Sequence, residues 1–183
     1  KKIDKQITVC YTVVTQNTKR EEILMKQKEL SIWLRVTCLF VGLLVLIVCT
    51  LVLPSFAREL AGNNPDLSYM YAPCLVYAVL ASVPIFISLA FAWQIFTDIG
   101  RDNSFCAENA KRLKNIGQMF LFEGIYIIAG AVALVIMDLG HPGIIIPMLF
   151  FALLSLGATV ICSALSHLTY KAYQMKCDND LTI

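Results

Sequence analysis

The sequence predicts an all-α integral membrane protein: a polytopic, four-transmembrane-helix antiparallel bundle with a short cytoplasmic amphipathic helix between spans two and three. Three observations predict it. Of 183 residues, 58% are hydrophobic and only 15% charged, whereas an average soluble protein carries about 25% charged residues. A water-soluble core of this size cannot hide so many apolar side chains. Four stretches reach the roughly 20 apolar residues that a helix needs to cross a hydrocarbon layer about 30 Å thick. The basic residues, finally, are confined to alternate connections. Inside lipid each span must satisfy its own backbone hydrogen bonds, which selects helices.

The N-terminal segment reads differently from the rest. Met25, followed by Lys26-Gln27-Lys28-Glu29-Leu30, reads as a natural start. Lys19-Arg20-Glu21-Glu22, just upstream, can be written entirely in purine codons, as a ribosome-binding site would be. Residues 1–24 are therefore expected to be a translated leader or non-native tail, and residues 25–183 the membrane domain. The alternative is a genuine cytoplasmic tail in which residues 7–14 form a short strand.

The first span is expected over residues 33–53, uncharged after Arg35 and stopped by Pro54. The second, residues 71–96, lies in a longer uncharged run, with Pro84 placed to kink it. The third, residues 116–137, contains one charge, Glu123. The fourth, residues 143–168, has His167 near its end. Between them Asp138-Leu139-Gly140-His141-Pro142 is so short that spans three and four must form an antiparallel hairpin.

Orientation follows from charge. All but one of the 15 Lys and Arg residues lie before or at the very start of the first span, in the second connection or in the tail. The exception is Arg58 in the first connection. The positive-inside rule then places both termini and the second connection in the cytoplasm.

Composition also excludes. A net charge of +2 is too small to argue for direct nucleic-acid binding. The seven cysteines have neither CxxC nor Cys/His spacing, so no disulfide framework, metal site or cofactor is expected. No HExxH, Ser-His-Asp pattern, Walker loop or GxGxxG is present, and no catalytic residue is assigned.

The most distinctive polar segment runs from Gly100 to Gly117. Asp102, Asn103 and Ser104 are good helix caps, Glu108 suits a first turn, and Lys111, Arg112 and Lys114 follow. Phe105, Leu113 and Ile116 stand among these charges, so the segment is expected to form an interfacial or docking helix, or else a solvated connector.

Gly100, Phe105, Glu108-Asn109, Lys111-Arg112-Leu113 and Ile116-Gly117, together with the ending Asn179-Asp180-Leu181-Thr182-Ile183, resemble a family of small bacterial membrane proteins, domain of unknown function 2975, over about Met25 to Ile183. Cys106 departs from the Ser or Thr that usually follows the Phe in that family, and is a poorer cap. The resemblance implies four spans in the bacterial cytoplasmic membrane and, from the frequent neighbourhood of a small helix-turn-helix regulator, a cytoplasmic protein partner. It implies no catalytic residues.

Intramembrane charges are costly and mark functional positions. Glu123 is expected to share the cytoplasmic third of the bundle with Thr37, Gln94 and His167, and a Glu123–His167 pair would suit a proton- or cation-linked transporter or channel. The other reading is a structural carboxyl that is protonated, hydrogen-bonded between helices or reaching toward headgroups, and that holds the bundle together. Ser155, Thr159 and Ser163, with Ala158 and Cys162, form a close-packing face on span four, serving either internal packing or a homo-oligomer. The leading functional expectation is a non-enzymatic membrane protein acting through interaction or regulation at the cytoplasmic face.

Overall fold

The computed structural model describes the backbone of residues 2–55, 58, 71–101, 103–138, 140 and 142–181, with side chains from residue 25 to residue 179 within these stretches. Four helices make up the fold: α1 (Lys2–Ile47), α2 (Tyr71–Ile99), α3 (Ala107–Ile136) and α4 (Pro142–Leu181). Each contains a stretch long and apolar enough to cross a membrane. Expected spans two and four fall inside α2 and α4, span three ends one residue past α3, and span one runs on from α1 through the π-helical turn that follows it; no strand forms among the described residues.

Several boundaries differ from expectation, each for a local reason. Residues 7–14, the candidate strand, are helical within α1. Pro54 does not stop the first helix. A π-helical turn, Val48–Val52, precedes it, and the chain stays helical through Ser55. Proline cannot donate to the carbonyl four residues back and its ring crowds that carbonyl. The wider turn, closed by Leu53 N–H on the Val48 carbonyl, accommodates both effects. Pro84 lies buried inside α2, which continues through it as helix.

The amphipathic connector helix exists but is not separate: its residues are the first turns of α3, continuous with span three. None of the expected caps starts it. Cys106 is the N-cap, extended at φ −125° and ψ 156°, and its sulfur accepts the Asn109 N–H at 3.4 Å. At the other end α4 runs well past His167 to Leu181. Its 40 residues correspond to about 60 Å, twice the hydrocarbon thickness.

Packing follows chain order. α3 and α4 pack most extensively, then α2 and α3, then α1 and α2, while among the described residues α1 has no close backbone approach to α3 or α4. The α3–α4 hairpin turns at Met137–Asp138, with Asp138 at φ 58°, a left-handed conformation that Asp tolerates better than most residues. Ser166 Oγ donates to the Ala110 carbonyl at 2.7 Å. Further along, Gly117 faces Cys162 and Thr159, and Gly124 faces Ser155 and Leu156. The descending partner numbers define the antiparallel register.

Small residues make this approach possible. Ala110, Gly117, Gly124 and Ala131 recur every seventh residue of α3, and all four are buried. They let the backbones come close, as lipid-embedded helices require when no hydrophobic driving force separates helix from lipid. The opposing face on α4 is the one formed by Ser155, Thr159 and Cys162, so that face is used internally. On the α1–α2 side, Cys38 Sγ donates to the Leu89 carbonyl at 3.6 Å, and Gly42 lies against Leu89. Elsewhere large apolar side chains such as Leu39, Phe40, Phe150 and Leu153 point outward, where a bilayer, not water, must cover them.

Candidate functional site

Two polar arrangements stand out from the apolar bundle. The first is the connector between α2 and α3. Just after α2 ends, Gly100 N–H donates to the Phe96 carbonyl at 3.3 Å, while Arg101 N–H and Asn103 N–H both donate to the Asp98 carbonyl, at 3.1 and 3.0 Å. Ser31 of α1, fully buried, donates its hydroxyl to the same Phe96 carbonyl at 2.5 Å. A Cβ on Gly100 would meet Ser31 Oγ at 2.7 Å. Glycine is needed there because α1 crosses directly against the end of α2.

The start of α3 is then tied back. Asn109, 2% exposed, donates through Nδ2 to the carbonyls of Asn103 at 3.2 Å and Ser104 at 3.3 Å. Its Oδ1 accepts from Arg112 Nη1 at 2.8 Å. Arg112 also forms an ion pair with the Asp98 carboxylate on α2 and a longer one, 3.4 Å, with Glu108. With the Ser166 bond to Ala110, side chains from all four helices converge on this end. On the outer surface stay Phe105, 56% exposed, and exposed Arg101, Glu108, Lys111 and Lys114. Leu113 is half-buried beneath them.

The second arrangement surrounds Glu123. Among the described residues the α2 and α4 backbones do not approach each other closely, and a groove of about 990 Å³ opens between them over α3. Its walls are apolar and aromatic, and Glu123 is among its lining residues. The Tyr77 and Tyr126 rings stack beside the carboxyl at a centroid distance of 4.4 Å and 10° between planes. Each tyrosine hydroxyl donates to the other's backbone: Tyr77 to the Tyr126 carbonyl at 2.7 Å, Tyr126 to the Tyr77 carbonyl at 3.2 Å. Gly130 makes room for this pair, since a Cβ there would collide with the Tyr77 ring. Glu123 itself is 5% exposed, and its Oε2 has no hydrogen-bond partner.

The expected polar cluster of Glu123, His167, Gln94 and Thr37 is not assembled. Ser166, next to His167, lies opposite Ala110, and Glu123 is 13 residues further along α3, about 20 Å at 1.5 Å per residue. The long α4 carries His167 to the connector end, where it is exposed. Gln94 is also exposed, and Thr37 bonds its own helix through the Trp33 carbonyl at 2.9 Å. The family-like motif residues do come together: Gly100, Asn109 and Arg112 point into the connector, with Phe105 and Glu108 outside and Leu113 between. Sequence reasoning did not find Asp98 or Ser31, the partners of Arg112 and Gly100 from other helices, nor Tyr77 and Tyr126. The seven-residue recurrence of Ala110, Gly117, Gly124 and Ala131, readable in the sequence, was the signal for the buried stripe that Glu123 borders.

Four apolar helices, a hairpin closed by small residues and a polar connector define an all-α membrane protein. The chain belongs to the family described as Protein of unknown function (DUF2975), whose model matches residues 55–183. It is similar to the Uncharacterized membrane protein YoaS of Bacillus subtilis (strain 168), 25% identical over 155 residues that cover 84% of this chain and 97% of the relative. No solved structure matches the chain.

Proposed function

We propose that the protein is a non-enzymatic interaction module of the bacterial cytoplasmic membrane, with both termini and the α2–α3 connector in the cytoplasm and the connector as its contact surface for a protein partner. The division of labour within the connector carries this reading. Gly100, Asn109 and Arg112 hold the loop rigid from within, while Phe105 projects from it, 56% exposed among charged neighbours. A large apolar side chain on a preorganised polar platform is the form of an interface anchor. The positive-inside distribution supports the orientation, and a helix-turn-helix regulator is the partner class to test first.

A photo-crosslinking amino acid at position 105 in the full chain, expressed in cells, tests the proposal. A discrete protein adduct is expected, and it should weaken when Arg112→Ala loosens the platform beneath it. Adducts to lipid alone, or none at all, would refute the reading.

A further inference from the structure

The groove beside Glu123 plays no part in the connector reading, and its chemistry is specific. It offers about 990 Å³, at the upper end of the volumes that hold drug-sized molecules, roughly 300–1,000 Å³. Its lining is apolar apart from a few polar groups, and two of these are already committed. The hydroxyls of Tyr77 and Tyr126 each satisfy a backbone carbonyl, which leaves neither to serve Glu123. Glu123 is 5% exposed, and its Oε2 is buried and unpartnered. An ionised carboxylate in such a place is costly unless a cation pairs with it.

We propose that this groove binds a lipophilic monocation, a quaternary ammonium or phosphonium body whose charge pairs with the Glu123 carboxylate. The aromatic walls fit the same occupant: Tyr77, Tyr126, Phe120 and Phe151 all line the groove, and ring faces attract a cation within about 6 Å. A bare metal ion does not fit, because hard cations need about six oxygen ligands and the groove offers few. A second copy of this chain does not fit either. Its four apolar runs bring no Lys or Arg to this depth, and Arg35 sits at the connector level, over the Trp93 ring at 5.9 Å. A lipid acyl chain would fill the volume but leave the carboxyl as it is.

The test uses the full chain in phosphatidylcholine nanodiscs, with tritiated tetraphenylphosphonium as the probe and empty nanodiscs as background. Saturable binding is expected. Glu123→Gln, which keeps the shape and removes the charge, should weaken it at least about tenfold, the equivalent of one lost interaction of 1.4 kcal/mol. Neutral triphenylphosphine oxide should compete poorly. A second variant, Ile127→Trp, narrows the groove one helical turn from Glu123 without altering the carboxyl and should also weaken binding, so the outcome does not depend on Glu123→Gln folding. The proposal is overturned if the unaltered protein shows no saturable binding, if Glu123→Gln elutes and melts like the parent yet binds equally well, or if Ile127→Trp leaves binding intact.

Discussion

Arg112, in the second turn of α3, forms an ion pair with Asp98, in the last turn of α2, and the two side chains are only 22% and 18% exposed. The pair locks the angle at which α3 leaves the connector, because Arg112 simultaneously holds Asn109, whose amide holds the loop.

Breaking that lock should have a measurable cost. Arg112→Ala and Asp98→Ala should each destabilise the protein by about 1–3 kcal/mol, the range for removing a hydrogen-bonded charged partner from a partly buried site. Thermal melts followed by size-exclusion chromatography in detergent would show both variants below the parent. The double variant should fall short of the sum of the two, because both remove the same interaction. Additive losses would mean that the residues act separately.

Gly117, on the α3–α4 seam, should resist a large side chain, in contrast to a glycine on the outside. A Cβ at Gly117 would lie 3.3 Å from Cys162 Cβ and 3.4 Å from the Thr159 carbonyl oxygen, whereas at Gly157 it would meet nothing within 4 Å. Gly117→Leu is expected to destabilise by about 1–3 kcal/mol or more through overpacking. Gly157→Leu should melt at or above the parent temperature, since it replaces a poor helix former facing open space. Similar melting of the two variants would count against the register described here.

Cys106 offers a stabilising change. Its sulfur caps α3 through a 3.4 Å contact with Asn109 N–H, and sulfur is a weak acceptor. Cys106→Ser should raise stability by up to about 1 kcal/mol and Cys106→Ala should not, since Ser is among the preferred N-caps and Ala is not. Paired melts of the two variants provide the comparison.

Gly100 tests the contact between α1 and the connector. Gly100→Ala places a methyl 2.7 Å from Ser31 Oγ and 3.0 Å from Ser31 Cβ, so α1 must shift away from the end of α2. Buried Cys38, whose thiol bonds α2 seven residues further along α1, should then react faster with a membrane-permeant maleimide. Unchanged labelling in a well-folded variant would show that Ser31 yields locally.

Spans and hairpin were legible in the sequence because both depend on local quantities: runs of apolar residues, a short polar break and the distribution of Lys and Arg. Helix ends were less so. Pro54 reads as a stop, and only a π turn, a backbone adjustment without a sequence signature, keeps that helix going. Span four reads as ending near His167, yet the polar residues beyond it continue the helix out of the apolar run. The connector motif was visible as Gly100, Asn109 and Arg112, whereas its logic was not, since Ser31 and Asp98 lie on other helices. Glu123 was legible as an oddity, but its neighbourhood was not. Assigning it partners at similar depth ignores which helices pack together, and among the described residues the α1 and α3 backbones do not approach closely.

That succession of neighbours bears on how the molecule is made. A chain threading into the bilayer from its N-terminus delivers α1 first, then α2, and each new helix finds its packing partner already in place. α3 and α4 then arrive as a tightly turned unit with the most extensive mutual packing of the four.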